Sequence, residues 1–193
     1  MLDNLQKYEI VLASNSPRRK ELLAGLDLDF QVRVISGIDE SYPESLQAME
    51  IPLHIARVKA NAYQPTLGER ELLITADTIV WTAEGVLGKP KDREDACQML
   101  RLLSGKTHQV ITGVCLLSKD KNVSFSVRSE VSFSVLSEEE ITYYIDKYRP
   151  YDKAGSYGIQ EWIGYVGVEA IHGSFYNVMG LPVQRLYKEL KQF

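Results

Sequence analysis

At 193 residues, with 45% hydrophobic and 25% charged residues, the chain can bury a core without disulfides or a structural metal, and its two cysteines, Cys97 and Cys115, have neither a close pairing nor a zinc-ligand spacing. The formal net charge of −4 argues against a general nucleic-acid binder. No apolar run approaches the roughly 20 residues that span a bilayer, and the N-terminus lacks a signal-peptide layout, so no membrane partner and a cytoplasmic location are expected.

Residues 8–13 read as a buried strand, followed by a helix that Ser16 caps and Pro17 opens. This helix carries Leu22 and Leu23 and stops near Gly25. A second strand is expected over 30–35 and a helix from Pro52 to Tyr63. Residues 72–81 form a long apolar stretch suited to a central strand, with a turn at Ala83, Glu84 and Gly85. Asp92 begins a helix with Ala96, Met99, Leu100 and Leu103 on one face, and Gly105 ends it. A strand over 110–117 leads through the polar segment 118–122 into Val123, Phe125, Val127, Val131, Phe133 and Val135, which recur at period two and predict a hairpin. Ser137 and Glu140 make a capping box for a helix bearing Ile141, Tyr144, Ile145 and Tyr148. After a Gly-rich loop over 152–160, Pro182 opens a last amphipathic helix with Val183, Leu186, Tyr187, Leu190 and Phe193 on one side. A hairpin among helical units implies a mixed sheet in an α/β fold.

Six places in the chain carry chemistry. Ala13-Ser14-Asn15-Ser16-Pro17-Arg18-Arg19 joins a strand to a helix N-terminus, where free N–H groups and partial positive charge receive phosphate. Arginines there conflict with the helix dipole unless a polyanion joins them; the alternative is solvated arginines paired with Glu21. Asp77 interrupts the apolar run Leu72-Leu73-Ile74-Thr75-Ala76, and a carboxylate in that setting needs a cation or donors. A metal at a reacting phosphate would serve, as would a lysine. Lys59 shares a helix face with Ile55 and Ala62, so its ammonium either reaches a site or snorkels to water. Lys89, in Gly88-Lys89-Pro90, is expected to be exposed. Glu40, next to Asp39 and shortly after Gly37, could ligate magnesium or belong to a plain polar loop. In the 152–160 loop, glycines allow close backbone approach and the Gln160 amide could read a base edge. His54, His108 and His172 show no metal-ligand spacing.

In order along the chain, Leu12-Ala13-Ser14-Asn15-Ser16-Pro17-Arg18-Arg19-Lys20-Glu21-Leu22-Leu23, Ala76-Asp77-Thr78-Ile79-Val80, Gly88-Lys89-Pro90, Leu103-Ser104-Gly105-Lys106-Thr107-His108 and Asp152-Lys153-Ala154-Gly155 resemble the motifs of the Maf family of nucleotide pyrophosphatases. The resemblance implies one domain over 1–193, a mixed twisted sheet with flanking helices, and two lobes around a deep cleft. It further implies a homodimer and a divalent cation, magnesium or manganese. Its proton acceptor falls on Asp77, its supporting acid on Glu40, and its cleft lysines on Lys59 and Lys89. Glu40 and Asp77 are the expected metal ligands, and Ser14 and Arg19 fall on further substrate-binding positions. In the branch acting on dTTP and UTP, the specificity positions fall on Arg18, Thr78 and Gln160. The implied activity cleaves a pyrimidine nucleoside triphosphate to the monophosphate and pyrophosphate. Two alternatives stand beside it: the same chemistry on another or modified nucleotide, and a nucleotide-binding regulator of cell division that does not cleave.

Overall fold

A computed structural model describes residues 2–193. Its strands are β1 (Glu9–Leu12), β2 (Phe30–Val32), β3 (Glu71–Thr82), β4 (Gly85–Leu87), β5 (Thr107–Leu117), β6 (Asn122–Phe133) and β7 (Val168–His172). They form one mixed sheet in the order β2-β1-β3-β5-β6-β7, with β4 paired to β3. The helices are α1 (Pro17–Ala24), α2 (Glu50–Tyr63), α3 (Arg93–Leu103), α4 (Glu138–Tyr148), α5 (Trp162–Gly167), α6 (Phe175–Met179) and α7 (Val183–Lys191). No described helix is long and apolar enough to cross a membrane.

The chain forms two compact units. The first comprises Met1–Asp77, Thr112–Val127 and Gly180–Phe193. There β1 pairs in parallel with both β2 and β3, in keeping with the buried apolar run Val11, Leu12, Leu72, Leu73 and Ile74. Helix α2 turns Ala56, Ala60 and Tyr63 into a core with Val11, Leu73, Cys115 and Leu117. Its seat is tight. A Cβ built at Gly113 of β5 would lie 2.3 Å from the Pro52 carbonyl, so helix and strand meet at backbone distance. Thr75 Oγ1, fully buried on β3, donates to the Ala56 carbonyl at 2.6 Å.

The second unit comprises Thr78–Ile111 and Arg128–Met179. Helices α3 and α4 bury Leu100, Leu103, Ile141, Tyr144 and Ile145 with Val131 and Phe133 of β6. Both helices start as their sequences require: the Asp92 side chain accepts the Asp95 N–H, and Ser137 and Glu140 make a reciprocal capping box.

Several boundaries differ from the sequence reading. The second strand, at the sheet edge, ends at Val32, and Val34 and Ile35 beyond it are exposed. Helix α2 starts two residues before Pro52, which sits in the first turn where its missing N–H costs nothing. Val135 is 83% exposed and not part of β6, because the Ser134 N–H turns to the Gly167 carbonyl at 2.9 Å. The short elements α5, β7 and α6 were not anticipated; five or six residues hold too few periods to register.

Candidate active site

The first unit builds its polar cluster from the turn after β1. The Ser14 hydroxyl, buried, accepts the Ser16 N–H at 3.2 Å, and Ser16 in turn caps α1 through the Arg19 N–H at 3.4 Å. The turn is thus braced by its own side chains. The Arg19 Nε donates to the Gly180 carbonyl at 2.8 Å and its Nη1 to the Ala76 carbonyl at 2.9 Å. The guanidinium fork therefore bridges the turn to the residue just before Asp77. Burial pulls the Arg19 pKa below its ordinary value, Asp77 and Glu40 oppose that shift, and the like charge of Arg18 reinforces it.

Lys59 is the centre of the cluster. Its ammonium lies 2.9 Å from Asp77 Oδ1 and 3.1 Å from Glu40 Oε2. Both Lys59 and Asp77 have side chains only 15% exposed, whereas Glu40 is 52% exposed. The lysine therefore satisfies the carboxylate that the apolar strand would otherwise leave stranded. Of the adjacent acids, Asp39 is spent locally, accepting the Ser41 N–H at 2.9 Å, and Glu40 is the one that reaches Lys59. Arg18, Arg19 and Lys59 outnumber Glu40 and Asp77, leaving this set with the positive balance a polyanion needs.

As a metal site the donors are few. Among the described residues no group of three or more His, Cys, Asp or Glu side chains could hold an ion. Two carboxylates meeting at one ammonium suit a hard cation that keeps water ligands and shares phosphate oxygens, such as magnesium or manganese. They do not suit a closed zinc cage.

The second unit holds Thr78, Lys89 and Gln160. Thr78 is half-buried on β3, and Lys89 is exposed between Gly88 and the buried Pro90. The Gly-rich loop packs against both segments. Gly155 takes φ +68°, a Cβ there would come within 2.8 Å of Val80 Cγ2, and its N–H donates to the Gly88 carbonyl at 3.0 Å. Gln160 is half-buried, and its Oε1 is buried with no hydrogen-bond partner among the described residues. A buried acceptor without a donor is uncommon in folded proteins and leaves room for a donor from a ligand.

Ser14, Arg19, Glu40, Lys59 and Asp77 thus come together in the first unit, with Arg18 adjacent in the chain. Sequence reading missed the brace behind Glu40. The Tyr63 hydroxyl accepts the Ile35 N–H and donates to the Arg33 carbonyl, each at 2.9 Å, anchoring the segment that leads to Glu40. Its spacing four residues after Lys59 on α2 was the available signal.

A family model for Maf-like protein matches residues 9–193. The chain is 72% identical, over the full length of both, to a dTTP/UTP pyrophosphatase from Parabacteroides distasonis. It is 62% identical to one from Bacteroides fragilis, again with both chains fully covered. A dTTP/UTP pyrophosphatase from Porphyromonas gingivalis is 58% identical, with all of this chain and 98% of the relative covered. A solved dITP/XTP pyrophosphatase from Mycobacterium abscessus is far more distant, at 15% identity and a TM-score of 0.46 over 94% of this chain and 93% of its own. With its whole length from Glu9 onward accounted for by the family model, the chain belongs to the Maf family.

Proposed function

We propose that this protein is a nucleoside triphosphate pyrophosphatase that hydrolyses dTTP and UTP to the monophosphate and pyrophosphate. The observation that carries the chemistry is Asp77, a carboxylate in an apolar strand with the Lys59 ammonium at 2.9 Å and Arg19 tied to the preceding carbonyl. The substrate class follows from the full-length relatives named dTTP/UTP pyrophosphatase.

In this mechanism the turn at Ser14, the first amides of α1 and Arg19 bind the triphosphate. Asp77 orients a water and accepts its proton as the water oxygen bonds to the α-phosphorus. The bond from that phosphorus to the bridging oxygen breaks, and pyrophosphate leaves. Lys59 and Lys89 offset the charge that grows on the phosphoryl oxygens. Glu40 keeps Lys59 in place and, with Asp77, would hold a magnesium or manganese ion. When bound, that ion supplies Lewis-acid polarisation of phosphate oxygens. We assign base recognition to Thr78 and Gln160, with Arg18 contributing at the turn. Uracil and thymine carry an imide N–H at N3, a donor that suits the unpartnered Gln160 Oε1; cytosine has an acceptor there. The family resemblance also leads us to propose a homodimer in the cytoplasm, which the solution mass of the purified protein would test.

The deciding experiment is pyrophosphate release from a panel of nucleoside triphosphates, with magnesium and with a chelator. Release from dTTP and UTP that needs the metal is expected. Tight binding without release would replace the enzyme with a nucleotide-binding regulator.

A further inference from the structure

The buried Gln160 Oε1 has no hydrogen-bond partner among the described residues, yet the residues on both sides of Gln160 are tied down. The Gly158 N–H donates to the Tyr144 hydroxyl at 3.0 Å. That hydroxyl donates onward, in a short hydrogen bond, to Glu161 Oε2. The Glu161 carboxylate lies 3.2 Å from the Lys153 ammonium, which also pairs with Asp152 at 2.8 Å. The two partners sit so close to the loop that a Cβ at Gly158 would come within 2.9 Å of Glu161 and 3.0 Å of Lys153. On the other side, a Cβ at Gly164 of α5 would overlap the Ile159 carbonyl oxygen at 1.8 Å, so α5 rests directly on the backbone of Ile159. Tyr144 itself is fully buried, and burial with the Glu161 contact pushes its pKa well above the ordinary range, which keeps it a donor.

These contacts fall on the four residues Gly158, Ile159, Gln160 and Glu161, with Gln160 between the tied positions. We propose that Tyr144 and Glu161, with Lys153 holding the Glu161 carboxylate, are positioning residues for Gln160 and so set the selectivity between uracil and cytosine. This inference rests on the reading of Gln160 as a base contact. Tyr144 and Glu161 act in this scheme through Gln160 and not on the base. Tyr144 holds the Gly158 amide, Glu161 holds the Tyr144 hydroxyl, and the Gln160 backbone lies between Ile159, packed against Gly164, and Glu161. A donor from the base is then met by an acceptor already in place, which is how a site rejects an analogue lacking that donor.

The test compares kcat/KM for UTP and for CTP in the wild type and in Tyr144→Phe, Glu161→Ala, Glu161→Gln and Gln160→Ala, each with its thermal unfolding. Tyr144→Phe and Glu161→Ala are expected to lower the UTP:CTP ratio by about fivefold or more, through a raised KM for UTP, as the loss of one well-placed hydrogen bond would. Glu161→Gln retains an acceptor for the Tyr144 hydroxyl and should hold the ratio within about twofold of wild type. A ratio unchanged in Tyr144→Phe and Glu161→Ala, while Gln160→Ala lowers it, overturns the positioning role alone. A ratio unchanged in Gln160→Ala removes the base contact itself, and this inference with it. Glu161 has a side chain 20% exposed, so Glu161→Ala decides the matter even if Tyr144→Phe does not fold.

Discussion

The two units hold polar groups in opposite ways. In the first, Arg19, Glu40, Lys59 and Asp77 are charged, close together and partly open to water, each carrying part of the others' electrostatic load. In the second, Tyr144, Glu161 and Lys153 form a chain of directed contacts beside Gln160, whose buried Oε1 has no hydrogen-bond partner among the described residues. The attraction within a charge cluster of the first kind falls off gently with distance. A directional network of the second kind fails more abruptly, because hydrogen bonds weaken steeply once misaligned. Rate and selectivity are therefore expected to fail separately under mutation.

The strongest challenge to that separation is Asp77→Asn. It should lower turnover on UTP by about 100-fold or more while leaving the fold and the UTP:CTP preference intact. A preference that collapsed along with the rate would merge the two roles. Next in size is a stability effect confined to the second unit. His108 is buried, with its Nε2 2.7 Å from the Tyr157 hydroxyl and the rings of Phe133 and Tyr157 edge-on against it. Burial pushes its pKa down to about 4. The folded state therefore favours neutral His108, and this contribution is complete above the unfolded pKa of about 6.5. It is lost progressively as the pH falls towards the folded value, by up to about 3 kcal/mol. Urea midpoints measured from about pH 7 down to about pH 4.5 should fall in the wild type and fall less in His108→Gln.

Arg19→Lys gives a smaller, rate-side effect. A lysine cannot bridge the Ala76 and Gly180 carbonyls as the guanidinium fork does, so KM should rise by about tenfold for UTP and CTP alike. A change in their ratio would tie the turn to base recognition. The smallest effect calibrates the others. Arg101 bonds Glu138 through two nitrogens and also bonds Glu94 on an exposed face, so Arg101→Ala should lower stability by no more than about 1 kcal/mol and leave turnover at the wild-type value.

Much of the first unit's cluster was legible in sequence because its signals are local. A capped helix after Ser14, an aspartate in an apolar strand and a lysine on an apolar helix face each break a short-range expectation. What could not be read was the partner of each. Lys59 pairing with both Asp77 and Glu40 joins residues 18 or more positions apart, and nothing in the spacing of Asp39 and Glu40 says which one turns inward. The second unit was less legible still. Tyr144 reads as one more apolar position on α4, and its hydroxyl acquires meaning only through Gly158 and Glu161. Gly164 stands in a helix of six residues, too short for periodicity to announce the backbone contact it permits.

Gly113 bears on how this chain could be varied. The strand and α2 touch there main chain to main chain, and α2 is the element that carries Lys59. A single added methyl group would have to lift the helix, and the ammonium would be carried away from its two acids without any charged residue having been altered. In a saturation library, position 113 should therefore behave like a catalytic position, intolerant of every replacement, although its own chemistry is inert.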